Sequence, residues 1–123
     1  MTIDDALLLR VTAALGWRWP GDSPAAFAVD DRLRLAAWLR TGDGCLAVIE
    51  AMRAKGYCFM TTDPHSQRWV GDLEPGDPDT WDVQFWKTRW PEAPDEVVEM
   101  YHGDAPTLPE AVILAAARAL GVE

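Results

Sequence analysis

The stretch WDVQFWK (residues 81–87) decides the fold, because it is the clearest strand pattern in the chain. Trp81, Val83 and Phe85 alternate with polar residues, and a period of two indicates a β-strand that buries one face. Trp86 interrupts the alternation, which predicts that the second face of this strand also buries something. The chain is therefore expected to be built around a β-sheet.

Two more strands are predicted, one on each side of this stretch in the sequence. Tyr57–Thr62 combines aromatic and β-branched residues, and apolar side chains lie on both faces of Glu96–His102. A weaker strand is expected over Arg68–Leu73. Because the strands follow one another through short connections, they favour an antiparallel meander of three or four strands over a parallel sheet.

Two helices are predicted before the strands. The first begins at Thr2, which together with Asp5 resembles a capping box, and it ends at Gly16, since glycine readily adopts the left-handed conformation of a helix end. The second begins with Asp43 as its N-cap and ends at Gly56. Each of these helices carries an apolar stripe that can face a core.

A third helix follows the strands. It opens with TLPE (residues 107–110), a capping box with proline in the first turn, and it ends at Gly121. Its many alanines predict that it lies close on the sheet. The segment Ser23–Arg40 gives a mixed pattern and is expected to be a loop, with a short helix from Asp30 to Leu39 as the alternative.

Length and composition fit one domain. A chain of 123 residues with 49% hydrophobic residues can bury one core without disulfides or metals. We therefore expect residues 1–123 to form a single α+β domain, a helix-sheet-helix sandwich with a three- or four-stranded antiparallel sheet and the element order α-(α)-α-β-β-β-α. Cys45 and Cys58 have no second pair to complete a zinc cluster or disulfide framework, and both are expected to be buried thiols.

The start of the chain lacks the basic residues and apolar stretch of a secretory signal. The longest apolar run, residues 111–117, is far shorter than the roughly 18 residues of a membrane span. A location in the cytoplasm of a host cell is therefore expected, without membrane contact.

Four blocks of the sequence resemble one known family. They are LGWRW (15–19), GCLAVIEAMRAKGY (44–57), WDVQF (81–85) and APTLPEA (105–111), in that order. Together they resemble the phage ABA sandwich domain family and span nearly the whole chain. The resemblance implies a helix-sheet-helix sandwich encoded by a phage or prophage, and it implies no activity or catalytic residue. The insert Ser23–Arg40 and the proline-rich segment Pro91–Asp95 depart from the family pattern.

Negative charge is concentrated in one part of the chain. Residues 63–104 hold eleven Asp or Glu against three Lys or Arg, which is most of the net charge of −9, whereas residues 1–62 hold seven of each. Such a surface predicts that the protein meets a basic protein partner or imitates nucleic acid by presenting carboxylates like phosphates. The alternative is that these charges only keep sheet edges and loops solvated. Direct binding to DNA or RNA is disfavoured, because no Lys and Arg cluster is present to contact phosphates.

The seven tryptophans exceed what a core of this size needs. Several lie near loops or on the outer face of a strand, where aromatic side chains often form an interface or a ligand pocket. Such residues could stack on a small nucleotide beside an arginine, or they could simply fold back over the sheet edge. The expected ligand or partner surface consists of Trp17, Arg18, Trp19, Arg68, Trp69, Trp86, Arg89 and Trp90.

Catalytic chemistry finds little support in the sequence. His65 and His102 could join Asp63, Asp72 or Asp104 in a metal or acid-base site, but no paired ligand spacing or known nucleophile motif accompanies them. We therefore expect no cofactor and no metal.

The sequence favours a non-enzymatic phage accessory protein that binds a basic protein partner. The alternative is a counter-defence protein that sequesters a small nucleotide, and a metal-dependent hydrolase is the least favoured reading. A homodimer is a further expectation.

Overall fold

The fold was established from a computed structural model, which describes residues 4–16, 37–64 and 80–123. The described elements are three helices and three strands, namely α1 (Asp5–Ala14), α2 (Gly42–Ala54), β1 (Cys58–Thr62), β2 (Trp81–Arg89), β3 (Ala93–Ala105) and α3 (Leu108–Leu120). The strands form one antiparallel sheet in the order β1-β2-β3. The predicted α+β class, the antiparallel meander and the order of elements are confirmed.

Some predicted segments lie outside the described residues. They are the strand Arg68–Leu73 and most of the segment Ser23–Arg40, of which residues 37–39 are described and helical. None of the described helices is long and apolar enough to cross a membrane.

The first two helices have N-caps that differ from the predicted ones. Asp4 caps α1 by accepting a hydrogen bond from the Leu7 N–H at 2.8 Å, so the prediction of Thr2 is wrong. Thr41 caps α2 by accepting from the Gly44 N–H at 3.2 Å, so the prediction of Asp43 is also wrong. Asp43 lies inside the first turn, where its negative charge still interacts favourably with the helix dipole.

The last helix begins and ends as predicted. The Thr107 hydroxyl caps α3 by accepting a hydrogen bond from the Glu110 N–H, and it donates a second one to the Glu110 carboxylate. The predicted N-cap is therefore confirmed, although the carboxylate bonds the Thr107 hydroxyl and not the Thr107 backbone N–H of a full capping box. Gly121 follows the helix with a φ of 71°, a left-handed conformation that favours glycine. Both ends of α3 are therefore specified by local sequence.

The β2–β3 hairpin is longer than predicted. Only residues 90–92 separate the two strands, so Pro94 lies inside β3 rather than in a loop. Proline is tolerated there because β3 pairs with β2 on one side alone among the described strands. Register shifts near Thr88 and Arg89 mark an irregularity at this end of the hairpin, which accommodates the extra residues.

The hydrophobic core surrounds α3. Seven consecutive residues of this helix, 111–117, are buried, so protein covers it on all sides. β2 and β3 contact it on one side, and α1 and α2 also pack against it. From the sheet, Val83 and Phe85 point toward the helix and are fully buried. Among the described elements α3 is therefore the centre of the molecule.

The close approach of α3 to the sheet depends on Gly103. A Cβ atom at this position would lie 2.5 Å from the backbone nitrogen of Ala115 and would also collide with the Ala111 carbonyl oxygen. The alanines of α3 supply the other half of this contact, as the sequence predicted. A larger residue at position 103 would push the helix away from the sheet.

Candidate functional site

The sheet has one face that turns away from α3, and its members follow from the strand register. Residues paired across antiparallel strands point to the same face, and successive residues of one strand alternate between faces. We call this surface the open face. It consists of Cys58, Met60 and Thr62 of β1, Asp82, Gln84 and Trp86 of β2, and Met100, His102 and Asp104 of β3.

One end of the open face is apolar. Cys58, Trp86 and Met100 form a row across the three strands, and Met60 lies next to this row. Met60 and Met100 are each 45% exposed, whereas Trp86 is half-buried. Large exposed apolar side chains grouped on one surface are characteristic of binding sites.

The apolar end continues into the β2–β3 hairpin. Val97 and Val98 are 46% and 48% exposed, and Trp90 in the turn is 73% exposed. β3 is exposed without interruption from Pro94 to Met100, so both of its faces meet solvent there. The hairpin therefore extends the apolar surface beyond the part of the sheet that α3 covers.

The other end of the open face is polar and holds two facing carboxylates. Asp82 and Asp104 are direct partners in the β2–β3 register, so their side chains lie next to each other on the open face. His102 Nδ1 lies 3.5 Å from Asp82 Oδ1, and Gln84 donates a hydrogen bond to Asp82 Oδ2 at 3.2 Å. Asp82 and Asp104 therefore form a carboxylate pair, with the His102 imidazole and the Gln84 amide beside it.

Asp104 holds a proton more tightly than a solvated aspartate does. Partial burial raises the pKa of Asp104, and the hydrogen bond and negative charge of Asp82 raise it further. The charges of His102 and Arg118 oppose the rise. Like charges opposite each other in a sheet repel, so a cation placed between these carboxylates would favour their charged form.

The structure describes three of the eight residues predicted to form a site. Trp86 lies on the open face and Trp90 in the hairpin turn, four residues further along the chain, a distance of roughly 13 Å along an extended strand. Arg89 forms two hydrogen bonds with Glu96, of 3.0 and 2.9 Å, so an acidic neighbour already occupies its guanidinium. Outside the described residues lie Trp17, Arg18, Trp19, Arg68 and Trp69.

The two cysteines differ in their surroundings. Cys45 is buried in the core, as predicted, and burial raises the pKa of its thiol. The prediction that Cys58 is also buried is wrong, because it alternates with the inward-facing Phe59 and points to the open face. Cys58 is thus a member of the candidate surface.

The acid-base residues proposed from sequence are only partly brought together. His102 lies near Asp104, as the sequence suggested, while His65 and Asp72 lie outside the described residues. The sequence did not indicate Asp82, whose Oδ1 lies 3.5 Å from His102 Nδ1. Its position opposite Asp104 could have been found by aligning β2 and β3 as a hairpin. In the described segments, no group of three or more His, Cys, Asp or Glu residues is arranged to hold a metal ion.

Comparison of the chain with models of known families, with curated proteins and with solved structures gives no match. The resemblance to the phage ABA sandwich family therefore stays a prediction from the four sequence blocks. What the protein does has to be inferred from the geometry of the open face.

Proposed function

We propose that the chain is a non-enzymatic binding protein whose open face recognises a basic protein partner. The observation that carries this proposal is the combination, on one face of the sheet, of an exposed apolar end and a carboxylate pair. The proposed phage or prophage origin rests on the sequence resemblance alone. It is compatible with a small accessory protein that acts by binding.

The apolar end supports a macromolecular partner. Met100 lies directly opposite Trp86 on β3, Met60 lies diagonally from Trp86 on β1, and both methionines are substantially exposed. Methionine side chains are flexible and adapt to different partner surfaces, while tryptophan is enriched among the residues that dominate binding energy. An aliphatic or aromatic side chain of the partner would pack on Trp86 between the two methionines.

The polar end supports a basic partner. The β2–β3 hairpin from residue 81 to residue 105 carries six Asp or Glu and two Lys or Arg. One of these cations, Arg89, is already bound to Glu96. A lysine or arginine of the partner would meet Asp82 and Asp104 and relieve the repulsion between them. Its attraction would weaken as salt is added.

The proposal can be tested with a displayed library of random peptides. Wild-type protein is used for selection, after depletion of the library on a variant that carries Met60→Asp and Met100→Asp. The enriched peptides are expected to place Arg or Lys beside a large apolar residue. Their affinity, measured by fluorescence anisotropy, should fall by roughly 30-fold with Trp86→Ala, as for a tryptophan hot spot.

A matched pair of charge variants serves as the control. Asp104→Asn removes a carboxylate from the open face and should weaken peptide binding and its salt dependence. Asp43→Asn removes an exposed carboxylate from the first turn of α2 and should leave binding unchanged. Enriched peptides that bind the wild type and the variant with Met60→Asp and Met100→Asp equally well would contradict the proposal. A melting temperature raised by free nucleotides, with no peptide enriched, would favour the nucleotide-sequestering alternative.

A further inference from the structure

The two outer strands of the sheet differ in how well they are protected against pairing with another strand. β1 and β3 each pair with β2 alone among the described strands, so within residues 4–16, 37–64 and 80–123 no second strand pairs with the outer backbone N–H and C=O groups of either. Proteins usually protect such edges with charged residues, prolines or irregular geometry. The composition of each edge therefore indicates whether it is meant to stay unpaired.

β3 carries several protective features. Pro94 lies within the strand, and its register with β2 shifts near the turn. Acidic side chains also line it, so a second copy of β3 beside the first would bring carboxylates together. The acidic residues of this strand are Asp95, Glu96, Glu99 and Asp104.

β1 lacks all of these features. Its sequence is CFMTT (residues 58–62), which contains no charged residue and no proline. Its register with β2 runs without interruption from Cys58 to Thr62. An uncharged, regular edge is a template for the addition of another strand.

An open groove borders this edge. It has a volume of about 920 Å³ and lies between β1 and α2, with Leu46, Ile49, Glu50, Arg53 and Phe59 among its lining residues. Leu46 is 53% exposed although it is a large apolar residue. A strand added beside β1 would direct alternate side chains into this groove, where they would cover Leu46 and Phe59.

We propose that the occupant of this edge is β1 of a second copy of the chain. The two β1 strands pair antiparallel about a two-fold axis and join two sheets into one of six strands. This arrangement uses the same uncharged surface twice, as a symmetric dimer requires, and each copy covers the groove of the other.

The charges of the molecule favour this choice of occupant. The groove wall holds one acid, Glu50, and one base, Arg53, so the Arg53 of each copy can meet the Glu50 of the other. The acidic β3 strands stay at the two outer edges of the joined sheet, where their repulsion is weakest. The dimer also leaves both open faces exposed, so this inference does not depend on the proposed function.

The test measures mass as a function of concentration for wild type and two variants by analytical ultracentrifugation. Met60→Lys puts a cation at the centre of the β1 edge. Met100→Lys is the matched control, because Met100 is equally exposed, on the same open face, but lies on β3. We expect wild type and Met100→Lys to dimerise alike, and Met60→Lys to raise the dimer dissociation constant by at least about tenfold.

A second measurement separates loss of pairing from loss of folding. Both variants should keep the circular dichroism spectrum of the wild type, while hydrogen exchange at β1 amides should become faster in Met60→Lys alone. A wild type that remains monomeric at high concentration would overturn the proposal, and selection of extended peptides that protect β1 would then identify a foreign strand as the occupant. Equal weakening by both substitutions would also overturn it, because the interface would then be the open face.

Discussion

The two faces of the sheet are made by the same three strands and differ in what contacts them. On the inner face, Val83 and Phe85 are fully buried against α3, and Gly103 allows the helix to approach. On the open face, Met60 and Met100 are nearly half exposed beside Trp86. The inner face therefore accounts for the stability of the fold, while the open face keeps apolar and acidic groups available to a partner.

The largest difference between the two faces is expected from substitutions at two adjacent residues of β2. Phe85→Ala should destabilise the protein by about 4 kcal/mol, because it removes a fully buried aromatic ring and leaves a cavity. Trp86→Ala should cost only about 1 to 2 kcal/mol, because its side chain is half-buried. Urea unfolding measures both values. Equal losses would show that both faces contribute equally to the core.

A second test concerns the spacing between the sheet and α3. Gly103→Val should destabilise the protein by about 2 to 3 kcal/mol, because the new side chain collides with the backbone of the helix. The side chain of the neighbouring residue, His102, lies on the open face. His102→Ala should therefore change stability by less than about 1 kcal/mol. Thermal unfolding of the two variants compares them directly. A tolerated valine would mean that α3 can shift away from the strand without loss.

A smaller effect is expected at the carboxylate pair, with the opposite sign. The pKa of Asp104 is raised in the folded state, so the protonated form is favoured by folding. Its contribution to stability is full below the ordinary aspartate pKa and is lost as pH rises through the raised folded pKa. Asp104→Asn should therefore stabilise the protein slightly near neutral pH, because solvent screens much of the repulsion at this exposed position.

The pH dependence gives the control for this prediction. Wild type should lose stability relative to Asp104→Asn between roughly pH 3 and roughly pH 7, as the Asp104 carboxyl loses its proton. Urea unfolding at both pH values provides the measurement. A variant that is more stable and binds peptide less well would show that the carboxylate serves binding at a cost to stability. A difference that grows toward acid pH would contradict the assignment.

The smallest effect is expected from the exposed ion pair in the hairpin. Arg89→Met should reduce stability by no more than about 0.5 kcal/mol, because Arg89 and Glu96 are both more than half exposed. It should leave the affinity of the selected peptides unchanged, or raise it slightly by removing a competing cation. A large loss of affinity would show that Arg89 takes part in recognition, as the nucleotide-binding alternative requires.

Much of the fold could be predicted from local sequence. The strand pattern at 81–87, the N-cap at Thr107 and the glycine at position 121 are confirmed because each depends on neighbouring residues alone. The N-caps of α1 and α2 were missed because several capping residues follow one another there, and only the packed structure decides among them. The length of the β2–β3 hairpin could not be predicted, because proline is excluded from a central strand but tolerated in an edge strand, and the sequence does not show that β3 is an edge strand.

The candidate site was less predictable, because it depends on register. Side chains alternate with a period of two, so a shift of one residue would move Asp82 and Trp86 to the inner face. Sequence identified Trp86 as unusual but did not show that Met100 and Cys58 lie beside it. The typical burial of free cysteine also gave the wrong expectation for Cys58, whose exposure follows from strand alternation.

The central claim, that the open face is the binding face, is tested most directly by nuclear magnetic resonance. ¹⁵N-labelled protein is titrated with the peptide that wild type enriches most strongly from the library. The claim predicts that chemical shifts change at Met60, Trp86, Met100 and Asp104, and that Trp86→Ala moves the midpoint of the titration to a roughly 30-fold higher peptide concentration while the spectrum of α3 stays the same. Shift changes confined to α1 or α2, or an unchanged midpoint in Trp86→Ala, would contradict it.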